Sequence, residues 1–293
     1  MGAQKKIPVA FLGPKSSYSY QAAINTFPTD SYDLIPHTTF GEIFHAVQTS
    51  TVAHALVPFE NSTNGSIIPV LDLFCDRAST NNAIHVTQEV YLPVHHQFCS
   101  FAKTREEVKR IYSHPQAFGQ CEIFLQGQYK GVERIDCSST SRAVEIVAEE
   151  AKKGDFGGAA IGAEMAAGIH GVPVMSKDIE DDVSNTTRFL VISSPDVERS
   201  VRTGDDKTYL RFSIDHQKPG ALCDALQAFK KQGLNLTSIN SRPSRKEGRP
   251  WNYIFLVEFQ GHEDGEGVRD CLADVEKVAW DVKVLGSFSN KRQ

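Results

Sequence analysis

No run in this chain approaches the ~18 consecutive apolar residues of a membrane helix. Its first six residues carry two lysines and no apolar segment, so neither a membrane span nor a secretory signal is expected. There is no C-x-x-C pair. The six cysteines, at 75, 99, 121, 137, 223 and 271, are scattered through apolar or helical contexts. That is how reduced thiols are used in a cytoplasmic protein. Positive charge is not in excess: the net charge is −5 and the pI is near 6.1. The densest basic group, residues 242–249, is short and interrupted by Glu247, so neither nucleic acid nor an anionic membrane is an expected partner. Glycine-rich phosphate loops of the G-x-x-x-x-G-K or G-x-G-x-x-G kind are missing, which removes support for a nucleotide cofactor. A G-x-S-x-G elbow is missing too. No H-E-x-x-H spacing occurs, and the adjacent His95 and His96 would face opposite sides of a strand, so neither a metal site nor a cofactor is expected.

What is present is a chain of 293 residues, 40% hydrophobic and 23% charged, enough for two domains with separate cores. Short apolar runs at residues 9–12, 53–57, 110–112 and 159–161 each lead into a polar turn and a helical pattern, as at residues 18–27 and 40–49. Repeated strand–turn–helix units predict a largely parallel α/β sheet, with ligands at the carboxyl ends of its strands. Periodicity then fades between residues 194 and 207, which reads as a linker. Beyond it, strands at 208–214, 236–240, 253–259 and 282–288 alternate with helices at 220–232 and 267–278. That order, βαββαβ, is the ferredoxin-like arrangement. The predicted domains are residues 1–196 and 206–290.

Clusters of small polar residues follow the strands of the first domain. Ser16-Ser17-Tyr18-Ser19 sits at a helix start, where hydroxyls and free N–H groups bind an anion or simply cap the helix. Glu60-Asn61-Ser62-Thr63-Asn64-Gly65-Ser66 is longer and more polar than a cap requires. In Ser113-His114-Pro115-Gln116, the proline fits the first helical position, and Gln116 and Gln120 share a helix face. His114 is the one histidine with a site context; the other nine read as surface or packing residues. Ser139-Thr140-Ser141 opens another helix. Last comes Asn185-Thr186-Thr187-Arg188-Phe189, where a guanidinium fork matched to a carboxylate adjoins hydroxyl donors. A polar turn before a core strand is the alternative for that pentapeptide alone. Together the clusters describe a cleft of neutral donors plus one arginine, suited to a small carboxylate ligand in either an enzyme or a binding protein.

In this order, the clusters resemble the signatures of prephenate dehydratases. Gly13-Pro14 through Ser19-Tyr20-Gln21-Ala22-Ala23, Pro58 to Ser66, His114 to Cys121, Ser139-Thr140-Ser141 and Asn185-Thr186-Thr187-Arg188-Phe189 all have counterparts, across roughly residues 7 to 290. Gly220-Ala221-Leu222 and Asn240-Ser241-Arg242-Pro243 are similar to the phenylalanine-binding motifs of the family's ACT domain. Ser16-Ser17-Tyr18 stands where Gly-Thr-Phe is usual, and Asn240 where Glu is usual. The resemblance implies a two-lobed, periplasmic-binding-protein-like catalytic domain and an ACT regulatory domain. It implies decarboxylating dehydration of prephenate without a cofactor, inhibited by L-phenylalanine, with arogenate dehydratase or a non-catalytic amino-acid sensor as alternatives. By resemblance, Thr187 donates to the leaving oxygen, Arg188 clamps a carboxylate, and Asn61, Ser113 and Gln120 occupy active-site positions. Glu60, Ser62, Ser139, Thr140 and Ser17 are the implied substrate-binding residues. A homodimer or homotetramer through the ACT domain is implied, as is a monofunctional enzyme without chorismate mutase helices.

Overall fold

The computed structural model describes residues 5–76, 78–81, 83–245 and 251–292; part of the basic group, residues 246–250, lies outside them. Three sheets organise the chain. The first lobe contains β1 (Ile7–Leu12), α1 (Tyr18–Thr26), β2 (Tyr32–His37), α2 (Phe40–Gln48), β3 (His54–Asn61), β4 (Gly65–Ser66), α3 (Ile68–Phe74) and β5 (His85–Pro93). The second holds β6 (Gln97–Ser100), β7 (Arg110–Ser113), α4 (Pro115–Gln120), α5 (Glu122–Gln128), β8 (Glu133–Asp136), α6 (Thr140–Lys152), β9 (Gly158–Gly162), α7 (Glu164–His170) and β10 (Val174–Ser176). The chain then returns to the first lobe as β11 (Thr186–Ser193), which inserts between β3 and β5 to give the order β2-β1-β3-β11-β5.

The expectation of a largely parallel sheet needs correcting. Strands joined by helices within a lobe are parallel, as in β1 with β2 and β3, or β7 with β8 and β9. Strands contributed by a lobe crossing run the other way: β11 is antiparallel to both neighbours, and β6 to β9. The sheets are mixed because two segments, one after β5 and one before β11, carry the chain between lobes.

Side-chain alternation along β11 divides its surroundings in two. Phe189 and Val191 pack with Val9, Phe11 and Leu92 beneath α1, while Leu190 and Ile192 join Phe44, Phe59 and Phe74 on the opposite face. The latter core also takes in Tyr209, Leu256 and Phe288, which belong to the third sheet. That unit comprises β12 (Asp206–Ser213), α8 (Ala221–Lys231), β13 (Leu236–Pro243), β14 (Tyr253–Gln260), α9 (Glu266–Glu276) and β15 (Trp280–Ser289). Its βαββαβ order and strand sequence β13-β14-β12-β15 are ferredoxin-like. One face of this sheet is covered by α8 and α9, and the other lies on the first lobe. Gly286 marks the closest approach, where a Cβ would stand 2.1 Å from the Val86 carbonyl oxygen. The expected linker reading of Asp206 and Lys207 is also corrected: both lie within β12 and are buried.

Candidate active site

A cavity of about 250 Å³ opens between the first and second lobes. Its walls come from the ends of several elements: Tyr18 and Ser19 of α1, Pro58 and Asn61 of β3, Thr187 of β11, Gln116 and Gln120 of α4, and Ser138-Ser139-Thr140 at the start of α6. Local sequence explains how the helices aim there. The Ser17 and Ser139 side chains cap α1 and α6, accepting from the Tyr20 and Arg142 N–H groups. His114 caps α4, with Pro115 at the next position. The N-termini of α1 and α6 therefore both face the cavity and favour negative charge in it. Among the described residues, its polar lining includes His96 and His114 but no Asp, Glu, Lys or Arg.

Asn61 and Thr187 are register partners in the β3–β11 ladder. The Asn61 carboxamide oxygen accepts from the Thr63 and Asn64 N–H groups, which fixes the amide. Its nitrogen then donates to Thr187 Oγ1 at 3.0 Å and to Asn185 Oδ1 at 2.8 Å. Because Thr187 Oγ1 accepts from Asn61, its own proton is available to a group in the cavity. The donation from Asn61 also makes that hydroxyl a stronger donor.

Asn61, Gln120, Ser139, Thr140 and Thr187 thus meet in the cavity as expected. Five expected site residues do not line it. Ser17 donates to the Leu12 carbonyl and caps α1. Ser62 accepts from the Thr186 N–H. Ser113 is fully buried, and its hydroxyl donates to the Ile161 carbonyl. Glu60 and Arg188 lie on the opposite face of the ladder from Asn61 and Thr187, since neighbouring side chains on a strand point to opposite sides.

Arg188 therefore is not placed to clamp a carboxylate in the cavity. It is 4% exposed and meets Glu60 at 2.9 Å and Glu89 at 2.8 Å, together with Glu258 of β14. Lys207 of β12 bonds Glu89 at 3.0 Å, completing a buried charge cluster between the first lobe and the third sheet. Burial would lower the Arg188 pKa, but the surrounding carboxylates, Glu258 foremost, raise it overall and keep the guanidinium charged.

Among the cavity residues outside the expected site are Tyr18, which stands where the family's Phe is usual, and His96, which reads in the sequence as a surface or packing histidine. His96 is 2% exposed, and burial lowers its pKa, favouring the neutral ring. The nearby group His95, Asp178 and Glu180 brings three ligand-type atoms together. Its carboxylates already serve the protein: Glu180 accepts from the His96 N–H and pairs with His95, and Asp178 accepts from Gln97.

The third sheet carries the remaining expected motifs. Gly220 has φ +81° at the start of α8, a conformation that favours glycine. It is followed by buried Ala221 and partly buried Leu222. Asn240, Ser241, Arg242 and Pro243 lie on the edge strand β13. Asn240 Oδ1 accepts from the Ser66 hydroxyl and Arg242 pairs with Asp72 at 2.7 Å, so this motif also touches the first lobe.

Comparison with known proteins agrees with both units. The prephenate dehydratase family matches residues 9–197, and the ACT domain matches residues 208–277. The chain belongs to the prephenate dehydratase family. It is 34% identical to the bifunctional chorismate mutase/prephenate dehydratase of Aquifex aeolicus, over 98% of this chain and 75% of that protein. It is 32% identical to arogenate dehydratase/prephenate dehydratase 1 of Arabidopsis thaliana, over 98% of this chain and 73% of the relative. Among solved structures, the prephenate dehydratase of Arthrobacter aurescens in complex with L-Phe superposes with a TM-score of 0.86 at 27% identity, covering 97% of this chain and 90% of that one. Among the described residues, no helix is long and apolar enough to cross a membrane.

Proposed function

We propose that this family member converts prephenate to phenylpyruvate, carbon dioxide and water in L-phenylalanine biosynthesis, with L-phenylalanine as feedback inhibitor. The observation that carries the catalytic reading is the Asn61–Thr187 hydrogen bond at the cavity wall, which leaves the Thr187 proton free to serve a departing hydroxyl. Breaking the bond from ring to carboxylate releases carbon dioxide, and its electron pair aromatises the ring as the hydroxyl leaves and becomes water with a proton from solvent. The protein's part is a positioned donor at the leaving oxygen and fixed partners for the carboxylates. Thr187 supplies the donor; Ser139, Thr140, Gln120 and the α1 and α6 N-termini supply neutral anion partners. A threonine hydroxyl is too weak an acid to give up its proton outright, so it acts as an oriented hydrogen-bond donor. Purified protein is expected to form phenylpyruvate, and Thr187→Ala to lose about 10²–10³-fold in kcat while folding normally. Wild-type turnover in that variant would remove Thr187 from the mechanism.

The cavity lining favours prephenate over arogenate. The amino group of arogenate is cationic, and among the described residues no carboxylate side chain lines the cavity to receive it. A higher kcat/KM for prephenate is expected when both substrates are compared. We assign the dehydratase to residues 1–196 and regulation to residues 206–290. Phenylalanine is assigned to Gly220, Ala221, Leu222 and the 240–243 segment, at an interface between copies of the chain. The edge position of β13 supports such pairing. The scattered cysteines, with no C-x-x-C pair, support a cytoplasmic setting.

A further inference from the structure

The cavity contains a hydrogen-bonded chain that joins three parts of the fold. Tyr18 opens α1 in the first lobe, His96 lies in the segment crossing between lobes, and Gln120 ends α4 in the second lobe. The Tyr18 hydroxyl is 3.0 Å from His96 Nδ1, and His96 Nε2 is 2.7 Å from Gln120 Oε1. All three residues line the cavity. The crossing segment is held from behind: the His96 N–H donates to Glu180, and the His96 carbonyl accepts from the Ile179 N–H.

A neutral imidazole has one donor and one acceptor nitrogen. Gln120 Oε1 is an acceptor, so Nε2 must carry the ring proton, and Nδ1 must accept. The Tyr18 hydroxyl is the donor in reach of Nδ1, and burial keeps that phenol protonated. With its oxygen engaged by His96, Gln120 has its NH2 group left for the cavity. The opposite tautomer would reverse this. Nδ1–H would donate to the Tyr18 oxygen while the Tyr18 proton went to the His95 carbonyl, 2.8 Å away. The bare Nε2 would then attract the Gln120 NH2 and turn its carbonyl oxygen toward the substrate. For a dianionic substrate the two states are not equivalent: one offers hydrogen-bond donors, the other a repelling lone pair.

We propose that His96 is a positioning residue of this site, that it accepts from Tyr18 through Nδ1, and that through Nε2–H it orients Gln120 to present its amide NH2 to the substrate. The assignment rests on reading the cavity as the dehydratase site, but its central test does not. Nitrogen-15 NMR of histidine-labelled wild-type protein reads the ring directly: a bare Nδ1 and a protonated Nε2 on His96 are expected, and a protonated Nδ1 overturns the proposal whatever the enzyme's activity. Kinetics give the second arm. His96→Gln retains an amide donor near the Nε2 position and is expected to keep kcat within a few-fold, whereas His96→Ala should lose about tenfold or more. In a Gln120→Ala background, His96→Ala should cause little further loss of kcat, because the two act as one unit. Full additivity of the two losses would overturn the proposal. Absence of turnover in wild type would instead refute the dehydratase reading and leave the NMR result to decide this one.

Discussion

Replacing Arg188 by methionine separates two roles that predict opposite outcomes. In a substrate clamp, the guanidinium would meet ligand, and its loss would raise KM with little cost to the fold. In this structure it is enclosed by Glu60, Glu89 and Glu258, the last two with side chains 0% and 1% exposed. Removing it leaves these carboxylates with Lys207 as the remaining cation of the cluster. The lost guanidinium also stacks 5.2 Å over the Phe59 ring. Breaking a buried ion pair from one side costs ~3–5 kcal/mol, since the partner stays buried without its counter-charge. About 4 kcal/mol is therefore expected for Arg188→Met, a large share of the ~5–15 kcal/mol that holds a typical domain.

The assay is urea unfolding followed by far-ultraviolet circular dichroism, with prephenate kinetics on the same preparations. Arg188→Met should shift the unfolding midpoint strongly downward. Adding Glu258→Gln should restore part of the loss, because one orphaned carboxylate is removed with it. KM at a temperature where the variant is folded should change by less than about tenfold. A variant as stable as wild type, with KM raised about a hundredfold, would refute the buried-cluster account and restore the clamp.

Asn61→Asp keeps the oxygen that receives the Thr63 and Asn64 N–H groups but no longer donates to Thr187 Oγ1; kcat should fall about 10²-fold with the unfolding midpoint nearly unchanged, and an active variant would sink the donor argument. His54, His85 and His96 all have pKa values lowered by burial. The unfolded chain therefore takes up protons first, so stability should be complete above about pH 6.5 and decline as pH falls toward the folded values. A flat midpoint between about pH 7 and 5 would contradict that sign. Gly286→Ala should destabilise the protein by more than ~1 kcal/mol, because the added methyl meets the Val86 backbone; an unchanged midpoint would mean that β15 and β5 separate freely. Phenylalanine should inhibit turnover, and Asn240→Glu should shift the inhibition curve if the Asn240–Ser66 contact or the effector contact depends on this side chain.

Much of the fold was legible because its signals are local. Apolar runs, capping serines and Pro115 located β1, α1, β7 and α4 to within a residue or two. What sequence periodicity does not carry is strand direction. Nothing local in residues 186–193 says that β11 returns from the other lobe and runs antiparallel to its neighbours. The buried Lys207 escapes a local reading for a related reason: a charged residue looks like linker until its partner Glu89, far away in sequence, is known, whereas Asp206 is held locally by Thr203 and Gly204. The site was half legible. Asn61 and Thr187 stand out as polar residues ending strands, whereas His96 gives no sign of its site until Tyr18 and Gln120 are brought beside it.

Arg188 was the misreading that the sequence itself contained enough to avoid. Thr187 and Arg188 are adjacent on a strand, and adjacent residues cannot both project into one cleft. The parity of the apolar run decides between them: Arg188 shares its face with Leu190 and Ile192, Thr187 with Phe189 and Val191. The same alternation separates Glu60 from Asn61 on the partner strand. Two neighbouring residue pairs thus serve two different compartments. Asn61 and Thr187 meet the cavity, and Glu60 and Arg188 belong to the charge cluster that reaches the ACT sheet through Glu258 and Lys207. Any displacement of β12 or β14 against the first lobe must break or carry along the buried charges on Arg188, and Arg188 is one peptide unit from Thr187 in the cavity wall. The motif is therefore a joint between the cavity and the ACT sheet, and its arginine belongs to the joint.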